Sequence, residues 1–211
     1  GTDRTGEIVL FEQRCVFWGS GGGGPIGGGI GPGDPIGGGP QNPAVPLTPG
    51  QTGAISNQIA GLLTDKCAKF IDQLVSSQTG KPYDSKSALL TDFNSIRDGK
   101  GGFFFGGTSH GGDASGSLGS GNGTVRINNM YSFTDSNRAF GAAFVALHEI
   151  LHIVTGAGDQ TLSERVKGLG IAVTAYPGYT LPYPTDKDNR NLAYSGYWGQ
   201  ALKNACDPKG Y

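Results

Sequence analysis

Charge is scarce in this chain. Asp, Glu, Lys and Arg make up 16% of its 211 residues, and 17 acidic against 16 basic residues leave a net charge of −1. A near-neutral balance without charge runs argues against a nucleic-acid partner or an acidic membrane surface. Long apolar runs are also missing: no stretch reaches 18 residues, so no membrane span is expected. The one methionine is Met130 and no signal-peptide pattern occurs, so a chain opening Gly1-Thr2-Asp3 reads as processed or excised from a longer parent. Cysteines number three, Cys15, Cys67 and Cys206, without a Cys-x-x-Cys or a Cys–His pairing that would suggest a thiolate metal site. One pair plus a spare is the simplest arithmetic. A Cys67–Cys206 bridge would tie the C-terminal helix to the core, and three separate buried thiols are the alternative. Glycine, by contrast, is abundant, at 39 residues. Low charge and high glycine lean toward a protein that is secreted or at the cell surface.

Residues 1–18 read as an N-terminal strand segment, with Ile8-Val9-Leu10-Phe11 and Cys15-Val16-Phe17-Trp18 as its apolar runs. Residues 19–53 read as a Gly/Pro-rich linker carrying Gly21-Gly22-Gly23-Gly24 and two copies of Pro-Ile-Gly-Gly-Gly. Such a stretch has too little apolar surface to offset the entropy of ordering it. No Gly-Lys-Ser/Thr follows, so phosphate binding is set aside. A domain over 54–211 follows. Ile55, Ile59, Leu62, Leu63, Cys67, Phe70, Ile71, Leu74 and Val75 keep helical spacing, and Asp84 or Ser85 caps a helix bearing Leu89, Leu90, Phe93 and Ile96. Within the glycine-rich residues 99–123, Phe103-Phe104-Phe105 reads as core or a short strand. Thr124 to Tyr131 alternates as a strand. A helix that Asp135 or Ser136 caps and Gly156 ends is expected next, then helices from Thr161 to about Thr174 and around Asn191–Cys206, with a Tyr/Pro-rich loop between the last two. The mixture defines an α+β class.

The chemistry concentrates in Leu147-His148-Glu149-Ile150-Leu151-His152. Two of the chain's three histidines stand four apart, which on a helix stacks both imidazoles on one face within reach of a single metal ion. Glu149 follows the first histidine, where it can take a proton from water at an open coordination position. Phe140, Phe144, Leu147, Leu151 and Val154 recur at helical spacing, so the motif lies in an amphipathic helix whose ligands face a cleft. A lone carboxylate in the nearly uncharged run Ala142–Val154 is costly without a partner or a task. A surface helix with two solvated histidines is the bland alternative.

A catalytic zinc usually takes three protein ligands and leaves one position for water. No histidine lies beyond His152, so a third ligand must be a carboxylate. Asp159 follows a Gly156-Ala157-Gly158 turn that can fold it back onto the metal, although it also suits a helix N-terminus. Glu164 is the one downstream glutamate, but Thr161-Leu162-Ser163-Glu164 fits a capping box. Asp159 is therefore preferred and Glu164 kept as the alternative. His110 reads as a solvated loop histidine. Tyr176, Tyr179 and Tyr183 read as loop packing, with oxyanion stabilisation as their functional alternative.

The motif resembles the zincin His-Glu-x-x-His pattern. It lacks the metzincin extension, since Thr155 and Gly158 stand where Gly and a third ligand would be, and it lacks the later glutamate of thermolysin-like enzymes. The Gly/Pro-rich stretch, Cys67-Ala68-Lys69-Phe70, the motif itself and Gly158-Asp159-Gln160-Thr161-Leu162 are together similar to the zincin-like C-terminal domains of bacterial RHS/YD-repeat surface proteins. Gly158 replaces a serine of that family. The resemblance implies a small sheet whose edge strand runs over the motif helix, with several further helices. It implies Zn²⁺ held by His148, His152 and Asp159, with Glu149 as general base, in a metallopeptidase acting on a peptide or protein substrate. Two other readings are an effector protease released from a larger protein, with an immunity or parent protein as partner, and a non-catalytic surface or adhesion module stabilised by its metal.

Overall fold

Thr48 opens the first helix among the described residues, and it does so through its side chain. Its Oγ1 accepts from the Gln51 amide while the Gln51 carboxamide oxygen accepts from the Thr48 amide, a reciprocal capping box with Pro49 at the first helical position. The computed structural model describes residues 13–15, 43–108, 112–128, 136–171 and 187–206. Helix α1 runs Pro49–Leu62, α2 Asp65–Thr79 and α3 Ser85–Arg97; strands β1 (Gln13–Cys15) and β2 (Val45–Pro46) precede them. Strands β3 (Gly102–Phe105), β4 (Gly112–Ser115) and β5 (Thr124–Ile127) follow, then α4 (Ser136–Thr155), α5 (Asp159–Gly168) and α6 (Lys187–Cys206). The mixture of helices and a small mixed sheet is the expected α+β class.

Several boundaries differ from the sequence expectation. The apolar spacing from Ile55 to Val75 spans two helices, because the Thr64 side chain accepts from the Cys67 amide and starts α2 afresh. Strand β2 and the first turn of α1 fall inside 19–53, since the capping box and the pairing of Val45 and Pro46 with Phe105 and Phe104 order that end of it. Asp84, as expected, caps α3. Helix α5 starts at Asp159 and ends at Gly168, short of Thr174. Gly158 is its N-cap and Gly170, at φ +67°, follows its C-cap Leu169, so Thr161 lies within the helix and is not its cap. Residues 1–12 and 16–42 of the N-terminal strand and linker readings lie outside the described residues. So do Asp135, the end of the strand reading at 129–131, His110, and the loop with Tyr176, Tyr179 and Tyr183.

The sheet order is β1-β4-β5-β3-β2, with β5 parallel to β3 and the other neighbours antiparallel. This corrects the edge-strand expectation for Thr124 onward. Strand β5 is central, paired on both sides, and cannot accept a further strand; the edges are β1 and β2. Arg126 and Asp113, opposite one another on β5 and β4, form a 2.8 Å ion pair.

Helix α4 is the centre of the molecule. It packs on β4, β5 and β1 and also against α1, α2 and α3. Residues Ala142 to Ile153 of α4 are buried on every side, polar members included. Over these residues the expected amphipathic helix is instead enclosed, which explains why the run carries a single charge. Phe144, Leu147, Ile150 and Leu151 join Ile55, Ile59, Ile71, Leu74, Leu89, Phe93 and Val125 in one core, each large side chain contributing roughly 1.5–3 kcal/mol by leaving water. Cys67 and Cys206 form a disulfide, with Cα atoms 4.4 Å apart, that joins α2 to α6 across 139 residues. No single helix among the described residues is long and apolar enough to cross a membrane.

Candidate metal centre

The turn after α4 assembles the site. Gly156 adopts φ +62°, a conformation that costs a side-chain-bearing residue, and its amide closes the helix on the His152 carbonyl at 2.9 Å. The chain then reverses through Ala157 and Gly158, so that Asp159, first residue of α5, returns to the histidine face of α4. Asp159 Oδ1 lies 3.5 Å from His148 Nε2 and 3.2 Å from His152 Nε2. The three residues offer ligand atoms all within 4.8 Å of one another.

Burial of these residues is nearly complete: His148 is 1% exposed, Glu149 0% and His152 3%. Among the described residues the imidazoles are closed over by α6 rather than open to a cleft. Trp198 stacks on His148 with ring centroids 3.6 Å apart and meets His152 edge-on at 5.1 Å. Its Nε1 donates to Asp159 Oδ1 at 2.7 Å. Sequence reasoning missed Trp198, whose place in the site comes from the pairing of α5 with α6 and leaves no local motif.

Proton positions follow from the contacts. His152 Nδ1 sits 2.7 Å from the Ala157 carbonyl oxygen, which can only accept, so this nitrogen carries a hydrogen and Nε2 is the nitrogen turned toward Asp159. Burial lowers the His148 pKa to about 4, against the opposing pull of Asp159. Burial also acts to lower His152, but the charge and contact of Asp159, and Glu149 beyond it, outweigh that and leave it raised. Asp159 ends well below the usual carboxylate range, because the two histidines outweigh its own burial.

The arrangement fits a metal ion. His148 Nε2 and His152 Nε2 are buried without a hydrogen-bond partner, although a carboxylate oxygen stands 3.2–3.5 Å away. Ligands at 2.0–2.1 Å from a tetrahedral ion would be separated by about 3.4 Å, close to the 3.2 and 3.5 Å between Asp159 Oδ1 and the two Nε2 atoms. A buried His148–His152–Asp159 group could thus hold a metal ion. Glu164, the alternative third ligand, does not join the group: its Oε1 accepts from Gln160 Nε2 at 3.1 Å on the exposed side of α5. Asp159→Ala is expected to weaken metal binding by about 100-fold or more, beyond the loss typical of an outer-shell partner, while Glu164→Ala leaves it unchanged. Titration against a chromophoric chelator measures both.

Glu149 lies beside the sheet. A Cβ placed on Gly112 would stand 3.0 Å from Glu149 Oε1 and 2.4 Å from Val145 Cγ1, so β4 and α4 approach closely where only glycine fits. Gly112 is the second contributor to the site that the sequence did not announce. Comparison with known protein families, with curated proteins and with solved structures finds no match for this chain.

Proposed function

We propose that the chain is a zinc-dependent metallopeptidase, secreted or displayed at the cell surface. One observation carries the reading: among the described residues two histidines and one carboxylate offer ligand atoms within 4.8 Å of one another, and a buried glutamate follows the first histidine on the same helix. If these three are its protein ligands, one coordination position is left for water or substrate, as in catalytic zinc sites, whereas structural sites use four. When bound, zinc would polarise a scissile carbonyl and make water more acidic. His148 and His152 would hold it from one helix face, and Asp159 would complete the set, fixed in orientation by the Trp198 indole. Glu149 would accept the proton of the attacking water and return it to the leaving amine. The Cys67–Cys206 bridge supports an oxidising, extracytoplasmic setting.

The test is hydrolysis of an unfolded protein substrate by zinc-loaded protein, abolished by a chelator and restored by zinc. Stoichiometric zinc with no hydrolysis would sink the peptidase reading. The enclosure of the group favours a second reading, a non-catalytic module in which the ion ties α4 to α5. Metal removal would then unfold the protein rather than silence it.

Zinc affinity should also depend on pH in a stated direction. Protons compete with a metal for imidazole only below the imidazole pKa. His152, raised, competes first; His148, at about 4, competes only in strong acid. Affinity is therefore expected to be full at high pH and to fall up to tenfold per unit as pH drops through the raised His152 pKa. A two-proton slope near neutrality would contradict this ordering.

A further inference from the structure

We propose that Trp198 is the positioning residue of His148: its indole face sets the orientation of that imidazole, a task that a hydrogen bond at Nδ1 performs for His152. What the two rings would hold rests on the metal reading; how they are held does not. Histidines that bind a metal through one ring nitrogen almost always donate the other N–H to a carbonyl, a carboxylate or water, which fixes the ring. His152 follows that rule, with Nδ1 2.7 Å from the Ala157 carbonyl oxygen. His148 departs from it. Its Nδ1 is buried without a hydrogen-bond partner, a costly state for a polar atom.

What braces His148 instead is aromatic. The Trp198 ring lies against its face, with planes 29° from parallel, whereas His152 meets the same indole at 83°. A ring packed face to face cannot turn about χ2 without giving up that contact. The next residue of α6 is Gly199, where a Cβ would lie 3.6 Å from both Nδ1 and Cε1 of His148. That is ordinary contact distance, so α6 has room for a side chain beside Nδ1 and supplies none. The same indole donates to Asp159 Oδ1. One side chain of α6 therefore orients two of the three candidate ligands, and the third, His152, is held by the turn between α4 and α5. Seating of α6 controls His148 and Asp159 but not His152.

Ring order reports this without a metal. In the metal-free full chain, labelled with carbon-13 at histidine Cε1, NMR relaxation is expected to give both His148 and His152 order parameters of about 0.85, the value of a rigid group. Trp198→Leu should drop His148 below about 0.6 and leave His152 unchanged, a difference that general loosening of the core would not produce. Zinc binding in that variant should be weaker than in Trp198→Phe by about tenfold, the scale of one lost orienting partner. Adding Gly199→Ser to Trp198→Leu brings a hydroxyl within reach of Nδ1, and should restore the order of His148 and recover about tenfold in zinc affinity. Gly199→Ala in the same background, with the Cβ alone, should recover neither.

Equal loss of order at both histidines, or loss at neither, would overturn the proposal, and so would rescue by alanine as complete as by serine. If Trp198→Leu does not fold, Trp198→Phe decides, because it keeps an aromatic face and lacks the N–H. Order retained at His148 in that variant upholds the ring face as the brace. Order lost there assigns the brace to the contact with Asp159 and overturns the proposal. Failure of the parent to bind zinc would overturn the metal reading and leave the ring measurement to decide this one.

Discussion

Glu149→Gln is expected to keep one metal ion per chain and to lose about 10²–10⁴-fold in turnover, the range supplied by a positioned general base. The side chain is wholly buried, and glutamine preserves its volume while removing its basicity and its charge. A neutral amide is less costly to bury than a carboxylate, so the variant should be no less stable to denaturant than the parent, and any loss of activity would be chemical rather than structural. Metal analysis, a denaturant titration and a turnover assay on the same preparation separate the cases. Turnover at the parent rate would remove Glu149 from the mechanism. Loss of the metal or of the fold would show a carboxylate serving structure, and would favour the module stabilised by its ion.

The His148–His152–Asp159 group was legible because helix geometry alone brings His148 and His152 together, and a glycine-flanked turn is what lets Asp159 return to them. Local chemistry also announced the Asp84 cap and the Gly156 stop. Strand β4 was not legible. Its sequence, Gly112-Asp113-Ala114-Ser115, has no β-branched or aromatic residue, because the close approach of α4 at Val145 and Glu149 requires glycine at Gly112 and leaves Ala114 buried with almost no exposure. Strand propensity reports packing on a half-buried surface, and β4 is enclosed. The same enclosure misled the reading of α4. Phe140, Phe144, Leu147, Leu151 and Val154 read as the stripe of an amphipathic helix, whereas small residues at Ala142, Ala143 and Ala146 let the sheet and the other helices approach from the remaining sides. Sheet order was illegible for a different reason: β1 and β2, distant in sequence from the strands they flank, supply the two edges.

Removing the disulfide should cost more stability than any single core truncation and should reach the metal. For a closed loop of 139 residues, the chain-entropy treatment gives about 5 kcal/mol, a large part of the 5–15 kcal/mol typical of a folded domain. Cys67→Ser with Cys206→Ser is therefore expected to lose roughly 5 kcal/mol or somewhat more in denaturant titrations, since both positions are buried and the hydroxyls add their own desolvation cost. The bridge fixes the end of α6 on α2, and α6 holds Trp198 against His148 and Asp159. Trp198→Phe isolates that last contact: it keeps an aromatic face on His148, removes the N–H donated to Asp159, and should weaken metal binding by about 10–100-fold, as loss of an outer-shell partner does. If the bridge serves the site through α6, the double serine variant, still folded in the absence of denaturant, should bind metal at least as weakly as Trp198→Phe. A double variant with parent-like metal affinity would show that packing alone seats Trp198, and that the disulfide acts on the unfolded chain only.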